Sequence, residues 1–190
     1  MQSTKLRAII LSSIFAAITA ILAQIEIPLP LVPISGQTLA VGLTATIIGS
    51  RLGAVAMVCY MMLGAIGLPV FAGFGGGPQV IVGPTGGYII GFIFAAFVTG
   101  KILEKTTFNI AMAMVANTVG MIITLAFGMV QLKFVADLSW SAALVGGVYP
   151  FLVVGLIKAF LASWIGIIVR RRLQQANLLK ISTNEQEQAA

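Results

Sequence analysis

Residues 149–166 read YPFLVVGLIKAFLASWIG, a single lysine in an otherwise lipid-like run. Eight uncharged residues separate Lys158 from Pro150, counting Pro150 itself, and eleven lie between it and Arg170. About 20 apolar residues suffice to cross a bilayer core about 30 Å thick, so this run predicts a spanning helix. If the helix starts near Pro150, a favoured first-turn residue, Lys158 lies about 12 Å down it at 1.5 Å per residue. A lysine at that depth costs roughly 2.5–3.5 kcal/mol on insertion scales and by default marks a functional site. It is too deep for easy snorkelling, and its own helix offers no acid. An anion arriving from outside would be a natural counter-charge. The plain alternative is a lysine kept neutral or solvated by a water pocket.

The rest of the 190-residue chain agrees with a membrane setting. It is 59% hydrophobic and 8% charged, with a mean hydropathy of +1.07, whereas soluble domains carry about 25% charged residues. The net charge of +6 comes from basic residues scattered through short gaps between apolar runs. That pattern fits membrane topology and not a nucleic-acid surface. Cys59 is the single cysteine and there is no histidine, which excludes an intrachain disulfide and leaves little for a metal site. The N-terminal apolar stretch is long enough to span, and we read it as a retained helix rather than a cleaved signal.

Six apolar segments predict an all-α integral membrane protein with six spans, at about 6–25, 35–49, 52–68, 85–100, 107–129 and 148–169. The second and fourth are short and need residues from their flanks. The membrane domain covers 1–173, and the polar tail 174–190 is expected to be disordered and cytoplasmic. With the N-terminus inside, nine basic residues fall on the inner side (Lys5, Arg7, Arg51, Lys101, Lys105, Arg170, Arg171, Arg172 and Lys180) and one, Lys133, on the outer side. This positive-inside bias places both termini in the cytoplasm. The outer connections are long and rich in Pro, Gly and aromatics, as in EIPLPLVPISG at 26–36. They suit lids over an outward-opening pocket, because irregular backbone at membrane depth survives only when buried or lining a cavity.

The chemistry is narrowed by what is missing. No G-x-x-x-x-G-K-[ST] motif is present, so phosphates are not cradled in the P-loop manner. No carboxylate lies inside a span, which removes the usual ion-coupling relay, and no nucleophile has a base beside it. We expect no catalysis, cofactor or metal. Near Lys158, one helix face carries Phe151, Val154 and Gly155 at i−7, i−4 and i−3, and Ala162 at i+4. These offer an aromatic, a gap and the ammonium, although Gly and Ala at that spacing also serve plain helix packing. Gln37 and Thr38, Thr85 and Tyr88, and Asn117 with Thr118 stand at span ends, where each can hydrogen-bond within a bundle. With Phe71, Phe74 and Trp140 they suit an apolar pocket with a few placed polar groups. In the first span Ser12, Ala16 and Ala20 form a small-xxx-small stripe that allows close helix approach, to the chain's own bundle or to a partner.

The combination resembles a known family. The block VPISGQTLAVGLTATIIGSRLGAVAMVCYMMLGAIGLPVFAGFGGGPQVIVGPTGGYIIGFIFAAF at 32–97 and LSWSAALVGGVYPFLVVGLIKA at 138–159 resemble the BioY family, the biotin-specific S components of energy-coupling factor transporters. The likeness extends from about residue 6 to 170. It implies an S-component-like six-helix bundle in a prokaryotic cell membrane that captures biotin, or a similar small anionic vitamin, from outside. A transmembrane coupling protein and cytoplasmic ATPase subunits would be its partners. Under the resemblance Lys158 is the binding-site lysine, Gln37, Thr85 and Tyr88 lie near the pocket, and the Ala16/Ala20 stripe docks on the coupling protein. The family usually has Asp three residues before the lysine, and here that place holds Gly155. Either other groups, such as Asn117 or Gln37, supply ureido recognition, or the ligand is a different vitamin or precursor. Outside transport, the alternatives are a membrane scaffold whose Lys158 pairs with a partner's acid, and an intramembrane enzyme, which the residue set fits poorly.

Overall fold

Helices occupy all six apolar segments in the computed structural model, which describes residues 2–176 and 178–179. They are α1 (Gln2–Ala23), α2 (Gln37–Ile48), α3 (Ser50–Ala65), α5 (Gly86–Lys105), α6 (Ile110–Val135) and α8 (Tyr149–Gln175). The expected tail at 174–190 lies largely outside the described residues, and α8 continues to Gln175. The fold is an all-α membrane architecture. Among the described residues, four apolar segments are long enough to cross a bilayer: Leu6–Ala23, Gly86–Lys105, Ile110–Val135 and Trp140–Gln175. By contrast α2, with 12 residues, is about 18 Å long at 1.5 Å per residue, well short of the hydrocarbon core. The fourth expected segment does gain residues from its flank, whereas the second does not. Gly49 is the reason: at φ +82° it ends α2 in a conformation that few side chains adopt, and α3 begins at the next residue.

The connections at the opposite end, which we call the loop end, contain more regular structure than their Pro- and Gly-rich composition predicts. A two-residue hairpin pairs β1 (Glu26–Ile27) with β2 (Ile34–Ser35), matching Glu26 to Ser35 and Ile27 to Ile34. A 3-10 turn at Ala72–Phe74 and the short helix α4 (Pro78–Val82) fill the connection after α3. Helix α7 (Trp140–Gly147) precedes α8. Pro78 opens α4, where its missing N–H costs nothing. Ser139 caps α7 by accepting from Ala142 N at 3.2 Å, and Asn109 caps α6 by accepting from Met112 N at 2.8 Å, each satisfying an orphan donor.

Packing places α2 at the centre, against α8, α5, α1 and α3. Nine of its twelve residues are buried, as suits a helix that carries no charged side chain. The other end of the molecule carries Arg51, Lys101, Lys105 and Arg170–Arg172, and two charged groups there secure the ends of short helices. Glu104 caps α3 from outside, accepting from Ser50 N at 2.7 Å while Lys101 lies 3.7 Å from its other oxygen. Arg170, only 6% exposed, donates to Ile47 O at 2.6 Å and stacks 3.7 Å from the Phe108 ring centroid. A cation on a late carbonyl of α2 complements the negative end of that helix. Outward, α1 and α8 present Ile9, Ile14, Ile21, Val153, Phe160 and Trp164, side chains matched to acyl chains rather than to water.

Candidate functional site

A cavity of about 300 Å³ lies between α2, α5, α6 and α8, beneath the hairpin and the turn at Ala72–Phe74. That volume sits at the lower end of ligand pockets, about 300–1,000 Å³. Four helices build the wall. Helix α2 supplies Gln37, Thr38, Val41 and Gly42, while α5 supplies Tyr88, Ile89, Phe92, Ala95 and Thr99. From α6 come Asn117, Gly120, Met121, Thr124 and Leu125, and from α8 Phe151, Val154, Gly155, Lys158, Ala159 and Ala162. Val32, Pro33 and Ser35 from the hairpin region, with Phe71, Ala72, Gly75, Val80 and Thr85, close the loop end.

Lys158 is half-buried and contributes the one charged side chain among these lining residues. Its Nζ donates to Ser35 O at 2.6 Å and to Thr38 Oγ1 at 3.3 Å. The ammonium is therefore held by a carbonyl and a hydroxyl, and no carboxylate lines the cavity. An ammonium has three donors, so one remains for a ligand. Behind Ser35 runs a relay that fixes the backbone. Ser35 Oγ donates to Gln37 Oε1 at 2.7 Å, Gln37 Nε2 to the Tyr60 hydroxyl at 2.6 Å, and that hydroxyl to Val70 O at 3.0 Å. Gln24 Nε2 donates to Phe71 O at 3.1 Å, and its Oε1 accepts from Phe74 N at 2.9 Å. These bonds and the edge contact between Tyr60 and Phe71, 5.4 Å between centroids, seat the loop over the cavity.

Of the residues expected at the site, Lys158, Gln37, Thr85, Tyr88, Asn117 and Gly155 all line one cavity. Tyr88 donates to Gly147 O at 2.7 Å and leans on Phe151, tying α5 to α7 and α8. Gln37 is spent on the relay, so its role there is to position Ser35. At Gly155, the space a side chain would fill is occupied by the thioether of Met121.

Three expectations need correction. Phe74 stands outside the cavity and is 69% exposed. Its backbone, at φ +56° beside Gly73 at +65°, turns the ring outward, and Phe71 takes the inward place. Trp140 is also exposed and pairs with Phe134. The Ser12/Ala16/Ala20 stripe packs against the chain's own bundle. Ser12 and Ala16 are buried and Ala20 half-buried, because the small side chains let α1 close on α3, with Ser12 Oγ 3.4 Å from Leu52 O. Reading the sequence also missed Ser35, Tyr60 and Met121. Ser35 is linked to Lys158 across 123 residues, a distance no local pattern reports.

The geometry has relatives. The BioY family model matches residues 1–175. The chain is 39% identical over 177 residues to the Lactococcus lactis protein named biotin transporter BioY2, covering 93% of this chain and 97% of that one. It is 41% identical over 166 residues to the Thermotoga maritima biotin transporter BioY, covering 87% and 97%. Its fold is similar to the crystal structure of the S-component for biotin from an ECF-type ABC transporter, with a TM-score of 0.80 and 26% identity over 90% of this chain and 94% of that one. An all-α membrane fold with a lysine-bearing apolar cavity, matched by the family model over residues 1–175, places this chain in the BioY family.

Proposed function

We propose that the chain is the substrate-binding membrane subunit of a biotin uptake system, with Lys158 as its ligand-binding cation. One observation carries the reading. A half-buried ammonium, anchored by Ser35 O and Thr38 Oγ1, faces an apolar cavity lined by no carboxylate. A ligand that brings an anionic or carbonyl oxygen completes that site, and the aromatic walls of Phe71, Phe92 and Phe151 take its apolar body. The names of the relatives support biotin as that ligand. The organisms of the relatives support a prokaryotic cell membrane as the setting, and the positive-inside bias supports cytoplasmic termini with the loop end outside. Ligand then enters beneath the hairpin. No catalytic step is assigned to this chain; a transmembrane coupling protein and cytoplasmic ATPase subunits would supply the energy. Accumulation of labelled biotin by cells that cannot make it tests the proposal. Uptake should require this chain with its coupling subunits and fail with Lys158→Met. Equal uptake without this chain would refute it.

A second reading keeps the fold and changes the ligand. Gly155 removes the carboxylate usual in the family, and Met121 occupies its space, which favours a smaller set of polar contacts and another small anionic vitamin or precursor. Competition of labelled biotin by a vitamin panel separates the two.

A further inference from the structure

We infer that Asn117 Oδ1 is the acceptor that reads a ligand N–H in this cavity; the inference rests on the vitamin-binding reading proposed above. Asn117 lies on α6, lines the cavity and is only 5% exposed. Its Nδ2 donates to Ala113 O at 3.0 Å, Ser163 Oγ at 3.1 Å and Thr46 Oγ1 at 3.1 Å. Those partners fix which way the carboxamide points. Ala113 O can only accept, and Ser163 Oγ spends its proton on Ala159 O at 2.6 Å, so it too accepts. Flipping the amide would set oxygen against oxygen twice. Oδ1 therefore faces the other way, and no described residue donates to it.

Gly42 makes the space that Oδ1 needs. A Cβ at Gly42 would lie 2.6 Å from Oδ1 and 2.8 Å from Ala162 Cβ, and all three residues line the cavity. Buried polar groups are hydrogen-bonded as a rule, so an oriented acceptor facing open volume is a place for a donor. Ser163, the partner of Asn117 on α8, is five residues past Lys158, a rise of about 7.5 Å. The cavity thus offers a cationic donor at one level and a neutral acceptor deeper in. A cyclic urea carries both counterparts, a carbonyl oxygen and N–H groups. In a pocket without the carboxylate at position 155, Asn117 takes over N–H recognition without adding charge.

The test is equilibrium binding to the detergent-purified full chain, using biotin and the two isosteres in which oxygen replaces one or the other ring N–H. Wild type should bind biotin and lose at least about tenfold with one isostere, the size expected when a buried polar group is left unpaired. Asn117→Leu should erase that difference. Because it also strips Nδ2 from its partners, Gly42→Ala provides a second route: it crowds Oδ1 with a methyl group and deletes no donor or acceptor of the Asn117 network. It should lower biotin affinity at least about tenfold and remove the isostere preference. Biotin and both isosteres bound alike by wild type, or a preference that survives in a folded variant, would overturn the assignment to Asn117. No binding of biotin to wild type would overturn the biotin reading and this inference with it.

Discussion

Replacing Lys158 by methionine keeps the unbranched stem of the side chain and deletes the ammonium, which separates what the charge does for the fold from what it does for the ligand. In the free protein two terms oppose each other. Removing a mid-membrane lysine relieves roughly 2.5–3.5 kcal/mol of insertion cost. Against that stands the loss of the 2.6 Å bond to Ser35 O and the longer 3.3 Å contact with Thr38 Oγ1. A hydrogen bond to a charged group is worth about 1.5–3 kcal/mol, and the long contact adds little. The terms nearly cancel, so ligand-free stability should change by no more than about 2 kcal/mol. In the complex there is no cancellation. One charged hydrogen bond to the ligand disappears, about 1.5–3 kcal/mol, which weakens Kd by roughly 10- to 150-fold at 1.4 kcal/mol per decade. Calorimetric titration of both proteins in detergent, with melting curves of each without ligand, reads both quantities. A variant that binds within about threefold of wild type, a difference under about 0.7 kcal/mol, would refute the role given to the ammonium.

Gly64→Ala should place a methyl inside the volume of the Phe71 ring, push it off Tyr60 and cost about 1–3 kcal/mol by overpacking; since Phe71 lines the cavity, affinity should fall with the melting temperature, and an unchanged melt would contradict the packing argument. Arg170→Gln removes the guanidinium from Ile47 O and the Phe108 face, so unfolding should become easier by about 2–4 kcal/mol from the charged bond and the cation–π contact together. Ligand affinity of the folded Arg170→Gln protein should stay unchanged, because Arg170 lies about 18 Å along α8 from Lys158. Phe74→Ala, truncating an exposed ring outside the cavity, should alter affinity by no more than about twofold, within the usual range for surface changes; a larger loss in binding assays would return Phe74 to the site.

The parts of this protein readable from sequence are those written in local periodicity and composition. Apolar runs located all six principal helices, and one lysine in such a run located the cavity. What stayed hidden depends on backbone angles and distant pairings. Helices α4 and α7 have five and eight residues, too short to show a hydrophobic period against their Gly- and Pro-rich flanks. Phe71 and Phe74 are three residues apart, yet one is 1% and the other 69% exposed. Two adjacent residues with positive φ, Gly73 and Phe74, decide which ring enters. A stripe of small residues on α1 announced a close helix approach, but not that α3 of the same chain would be the neighbour. Tyr60 reaches Gln37 across 23 residues, and Met121 reaches the gap at Gly155 from another helix; neither contact leaves a trace in local spacing.

Titration of biotin into the wild-type chain, purified alone in detergent, asks whether biotin is the ligand of the Lys158 cavity. Binding should be saturable with one ligand per chain, and the melting temperature should rise with biotin concentration, as binding to the native state alone requires. A flat titration with no thermal shift, under conditions where another small anionic vitamin does stabilise the chain, would contradict biotin as the ligand of the Lys158 cavity.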